Sequence, residues 1–181
     1  RALLAAGCLS VPLAAQWHDA QPATAPSARS LAGATYDLLH SQTVLFGGVH
    51  TTAPFANLGD TWTFDGTTWT QQSPAHAPSA RPGIQLVLDL LRGVVVLYGG
   101  TTSSLIGGPS QSDTWEWDGT DWTQIATPQN AGARGRYGAA FDIGRGRTVI
   151  YGGVASTQLL GALSGTWEYD GTTWTQRTTA H

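Results

Sequence analysis

Residues 43–71 read TVLFGGVHTTAPFANLGDTWTFDGTTWTQ, and the fold is decided by how this stretch returns. It opens on a short apolar run, Val44-Leu45-Phe46, that stops at a glycine pair, Gly47-Gly48. Runs of this length, bounded by glycine, suit a strand buried on both faces. After a longer polar segment comes Asp-Thr-Trp-Thr-Phe, then Asp65-Gly66, then Thr-Thr-Trp. An Asp-Gly pair between two alternating β-branched and aromatic segments is a strong short-range signal for a hairpin, because glycine accepts the positive φ of the turn. A helix is excluded by the short, β-branched segments and the glycines that interrupt them.

The whole pattern occurs three times. Gly47, Gly99 and Gly152 follow one another at 52 and 53 residues. Trp62, Trp115 and Trp167 keep that period, as do Trp69, Trp122 and Trp174, and Arg29, Arg81 and Arg134. The turns Asp65-Gly66, Asp118-Gly119 and Asp170-Gly171 stay in register with them. A fixed period of this size identifies a repeat architecture in which each unit is one supersecondary element. In the first copy the four expected strands are residues 32–36, 43–46, 60–64 and 68–71. The two tryptophans flanking the Asp-Gly turn are expected to pack their rings between adjacent units, and the last, Trp174, to be the least buried of its set if it closes a terminal unit.

A four-stranded unit of about this length, with a double glycine and a downstream aromatic-x6-Trp, resembles the Kelch repeat over residues 26–178. The matching features are the glycine pairs, the Trp62-to-Trp69 type spacing, and Asp-Thr-Trp at Asp60 and Asp113; the third copy departs by carrying Gly165 there. The WD40 pattern fits less well, its period being shorter. The resemblance implies an all-β protein of three Kelch-like four-stranded antiparallel β-propeller blades, with repeats at about 26–74, 78–128 and 131–178 inside a segment spanning 16–181. Propellers usually have four to eight blades. A three-bladed arc is therefore expected either to belong to a longer chain or to be completed by self-association through its open blade edges. Trp17 lies 52 residues before Trp69, which makes residues 15–18 a candidate spare fourth strand.

The opening, RALLAAGCLSVPLAA, is apolar, ends in small residues and is too short to span a bilayer. Residues 1–15 read as the remnant of a secretory signal peptide, which places the protein outside the cytoplasm: secreted, periplasmic or on the cell surface. Cys8 is the single cysteine, so no intrachain disulfide can form. The formal net charge of −3, with no lysine among nine cations, offers no basic field for nucleic acid.

No catalytic constellation emerges. The resemblance brings to mind copper radical oxidases built on Kelch blades, which need a tyrosine cross-linked to a cysteine, and the segment after residue 15 has no cysteine. His18, His40, His50, His76 and His181 occupy unrelated repeat positions, without a pair at metal-ligand spacing, so no metal or other cofactor is expected. Thr63-x-Asp65-Gly66-x-Thr68-Trp69 is similar to the Asp-box of sialidases but one residue short between Asp and Gly, and reads as a turn. Arg29, Arg81 and Arg134 recur once per unit, which structural repetition alone explains; each could bond carbonyls of the preceding blade.

Recognition has better support. Alternating strand directions bring residues 49–59, 101–112 and 154–164 to one face, together with the blade-to-blade loops 73–82 and 127–134. Loops carried on a rigid scaffold are where binding usually resides. The expected binding residues are Arg29, His50, Phe55, Arg81, Gln111, Arg134 and Gln158, a set suited to neutral polar partners such as a glycan or a peptide backbone. The expected function is a non-catalytic secreted recognition or structural module binding protein or carbohydrate. The alternative is part of a secreted carbohydrate-active enzyme, oxidase- or sialidase-like, whose catalytic residues lie on further blades.

Overall fold

Three glycine-punctuated runs of β-branched and aromatic residues give three like sheets. A computed structural model describes residues 21–53, 55–102, 108–155 and 161–178. The apolar leader, Cys8, the Trp17 segment and Gln158 lie outside the described residues. The first unit contains β1 (Arg29–Ser30), β2 (Gly33–Asp37), β3 (Gln42–Phe46), β4 (Val49–His50), β5 (Thr61–Phe64) and β6 (Trp69–Gln71). The second contains β7 (Leu86–Asp89), β8 (Val94–Tyr98), β9 (Thr114–Trp117) and β10 (Trp122–Ile125). The third contains β11 (Gly138–Asp142), β12 (Arg147–Tyr151), β13 (Thr166–Tyr169) and β14 (Trp174–Arg177). Each unit is a four-stranded antiparallel sheet in sequence order, β2-β3-β5-β6, β7-β8-β9-β10 and β11-β12-β13-β14. The short β1 and β4 pair separately, joining Arg29 to His50. The chain is all-β in blade-like sheets, with strands within a residue or so of their expected positions.

Two aspartates per blade build its tight turns. Asp37 and Asp89 each accept two backbone N–H groups across the turn between the first and second strands. At the last hairpin, Asp65 Oδ1 accepts the Thr67 and Thr68 N–H groups at 2.8 Å and the Thr67 hydroxyl at 2.7 Å. Asp118 and Asp170 repeat that arrangement. These carboxylates close turns, as their Asp-Gly context implies.

The core lies between blades. Val44 and Phe46 of the first blade meet Leu86, Val95, Leu97, Trp117 and Trp122 of the second, together with Ile84 just before β7. Val96 and Tyr98 of the second meet Ile150, Tyr169 and Trp174 of the third, with Tyr137 at its edge. Trp122 packs edge-on against Phe46 at 5.3 Å and donates its indole N–H to Thr61 Oγ1 at 2.9 Å. Trp174 repeats this with Tyr98 at 4.7 Å and Thr114 Oγ1 at 2.9 Å.

Each of these tryptophans therefore faces the blade before it. That direction corrects the expected order of burial: Trp174 is 0% exposed and Trp122 1%, whereas Trp69, which has no preceding blade among the described residues, is only half-buried. At the opposite end Tyr151, the counterpart of Phe46 and Tyr98, is 60% exposed.

Candidate functional site

The double glycines fix where the long loops leave the sheets. Gly47 sits at φ +69, and a Cβ there would lie 2.6 Å from the carbonyl oxygen of Arg81 in the next blade. The absence of side chains lets the neighbouring backbone close on the pair. Gly48 N–H bonds to Arg81 O at 3.1 Å, and Gly100 N–H to Arg134 O at 2.9 Å. Arg81 N–H in turn bonds to Leu58 O and Arg134 N–H to Gln111 O. The second-to-third loop of one blade is thus stitched to the segment entering the next. Asn57 adds a side-chain bond to Thr102 O at 2.8 Å, and Ser110 one to Val154 O at 3.4 Å. This places the expected loop face on a braced frame.

The recurring arginines form that frame from within. Arg29 makes five hydrogen bonds: two to Asp60, one to Gly47 O and two to Ser27. Arg81 makes the equivalent five, to Asp113, Gly99 O and Ser79. A guanidinium has five N–H groups, so both side chains are fully occupied. The carbonyls they hold belong to their own blade, not to the preceding one as the sequence had led us to expect. In both blades the aspartate also accepts an indole N–H, from Trp62 at 2.6 Å and from Trp115 at 2.7 Å. Burial would raise the pKa of Asp60, but the bonds from Arg29 and Trp62 outweigh it and hold the carboxyl below its usual range.

The third blade differs. Arg134 keeps the equivalent bonds to Gly152 O at 2.9 Å and to Gly132 O two residues before it, and adds one to Ala131 O, but Gly165 stands where a carboxylate would be. Arg134 is 4% exposed, with its guanidinium 5.9 Å from the centre of the Trp167 ring. Burial lowers its pKa from the ordinary arginine value, partly offset by Tyr98 and Tyr137.

Of the other expected binding residues, His50 pairs with Arg29 and Gln111 bonds to Arg134, whereas Phe55 stands apart. Phe55 is 63% exposed on the first long loop. His50 is half-buried in β4, its N–H bonded to Ala56 O. Gln111 is half-buried, and its backbone links Gly100 to Arg134.

Sequence reading did not single out the middle of the face. A cavity of about 250 Å³ opens where the first strands of the three blades begin, lined by Leu31, Gly83, Arg136 and their followers Ala32, Ile84, Gln85 and Tyr137. Leu31, Gly83 and Arg136 are equivalent repeat positions, all in the left-handed region at φ +58, +72 and +56. Gly83 N–H bonds to Leu31 O at 2.8 Å and Arg136 N–H to Gly83 O at 2.7 Å, a backbone ladder from blade to blade. A leucine and an arginine held at positive φ mark a strained, over-determined site. Arg136 is exposed at the cavity, with no ion pair to another described residue.

Among the described residues no three His, Cys, Asp or Glu side chains gather as a metal site would require, and no helix is long and apolar enough to cross a membrane. No family model matches the chain, and no curated protein matches it.

Proposed function

We propose that the three sheets are Kelch-type propeller blades of a secreted, non-catalytic recognition module that binds a protein or carbohydrate partner through its long-loop face. The single observation that carries this reading is the bracing of that face. Its loops are tied blade to blade through Arg81, Leu58, Arg134, Gln111, Asn57 and Ser110, while an exposed Phe55 and the Arg136-lined cavity remain open to a partner. Loop ends braced in this way, beside an exposed aromatic and an arginine with no ion pair to another described residue, support a preorganised surface, which lowers the ordering cost of binding. The opposite face carries short turns closed on their own aspartates, at the Asp-Gly hairpins and between the first and second strands.

Glycan and peptide arrays probed with the full chain test the proposal. Binding should be reduced about tenfold or more by Phe55→Ala or Arg136→Ala, the loss expected of a side chain at the centre of an interface, and left unchanged by Thr67→Ala on the far hairpin. Binding that Thr67→Ala removes as strongly as Phe55→Ala would place the partner elsewhere, and a chain that retains nothing on either array would count against recognition of these ligand classes.

A further inference from the structure

The first two blades show what belongs beside Arg134. There a carboxylate takes two bonds from the arginine and one from the indole two residues further along, with the aspartate side chains 21% and 19% exposed and so within reach of solvent. In the third blade the position equivalent to Asp60 and Asp113 is Gly165. Arg134 uses three of its five N–H groups, and the remaining two, like the Trp167 indole N–H, donate to no described residue. The Cβ that Gly165 lacks would stand 3.8 Å from Trp167 Nε1 and 3.0 Å from the amide nitrogen of Gln176. Arg134 is 4% exposed, and a buried arginine without a carboxylate is costly unless something anionic completes it.

From this we infer that Arg134, Trp167 and Gln176 form a binding site for the carboxylate group of a ligand, in the place that Asp60 and Asp113 fill from within the chain. A carboxylate matches the donors in number and shape: two oxygens against the planar arginine fork and the indole, as in the two internal examples. Arg134 stands at the end of the blade-to-blade loop 127–134, and Gly165 directly follows the second-to-third loop 154–164. The inference deepens the recognition reading and rests on it for its biological meaning, by giving the face a ligand chemistry.

The probe is acetate, titrated at constant ionic strength against chloride while the indole N–H resonances of the full chain are followed by NMR. The Trp167 resonance should move saturably, whereas those of Trp62 and Trp115, already bonded to aspartates, should stay in place. Trp167→Phe keeps an aromatic ring but removes the donor, and should weaken acetate binding about tenfold, the size expected of one hydrogen bond to a charged group. Its binding is then read from the acetate-dependent rise in melting temperature. Glucuronate and N-acetylglycine, used in place of acetate, separate an acidic sugar from a peptide terminus as the source of the group. A Trp167 resonance that does not move up to roughly 0.1 M acetate, where even a weak millimolar site would be filled, overturns the inference, as would equal shifts at all three indoles. Array binding that survives such a failure would leave the recognition reading intact, and a saturable Trp167 response beside empty arrays would do the reverse.

Discussion

Removing the indole from each blade in turn tests how the blades are held together. Trp122 and Trp174 are almost fully buried, 1% and 0% exposed, against the preceding blade. A tryptophan buries roughly 200 Å² of mostly apolar surface, and at about 25 cal/mol per Å² that gives about 5 kcal/mol as an upper figure. Loss of the bond to Thr61 or Thr114 leaves a buried hydroxyl without that partner and adds about 1 kcal/mol. Trp122→Ala and Trp174→Ala should therefore each cost about 3–5 kcal/mol. Trp69, half-buried and stacked only on Phe64 at 5.0 Å, should cost about 1–2 kcal/mol, in proportion to its smaller burial. Urea unfolding followed by far-UV circular dichroism gives the three values. Equal losses at all three positions, or a smaller loss at Trp174 than at Trp69, would refute the packing of each tryptophan on the blade before it.

Three further outcomes are expected. Gly47→Ala should cost at least about 3 kcal/mol, combining left-handed strain with collision on the Arg81 carbonyl, whereas Gly66→Ala, at φ +99 with open space around it, should cost about 1–2 kcal/mol in the same urea assay. At Asp170 burial opposes ionisation, but bonds from Thr173 and Thr172 win and lower its pKa to about 2. Because the folded value lies below the unfolded one, its stabilisation is complete above about pH 4 and disappears as pH falls toward 2; Asp170→Asn should flatten that part of a stability–pH profile, and an unchanged profile would contradict the assignment. The half-buried Trp62, Phe64 and Trp69 at one end and the exposed Tyr151 at the other are the two halves of the internal blade junction, so the chain should self-associate head to tail; light scattering should show a shift toward monomer in Tyr151→Glu, and a wild-type monomer at high concentration would show that these ends do not pair.

The sequence made some parts of this legible and hid others for identifiable reasons. Strand positions and the Asp-Gly hairpins were readable because turn chemistry is local and repeated three times. The direction in which a ring faces was not, since strand alternation says that Trp69, Trp122 and Trp174 share a face but not which neighbour that face meets. The arginines were visible as a period, but their role depends on Asp60 and Asp113, 31 and 32 residues downstream. Comparing the copies would have linked them: the Gly165 departure falls at the carboxylate position of the one member of the recurring trio Arg29, Arg81 and Arg134 that has no ion pair to a described residue. The positive-φ ladder at Leu31 and Arg136 carried no such signal, because neither residue type favours that conformation and tertiary contacts impose it.

Hydrogen exchange at the indole N–H groups tests the junction between the sheets, on which the proposed recognition face is carried, more directly than any other measurement. The bonds of Trp122 to Thr61 and of Trp174 to Thr114 are buried between blades, so their protons should exchange only through unfolding and report nearly the global stability. The Trp69 indole, facing no preceding blade, should exchange far faster. Fast and similar exchange at all three positions would mean that the blades are not joined through these tryptophans.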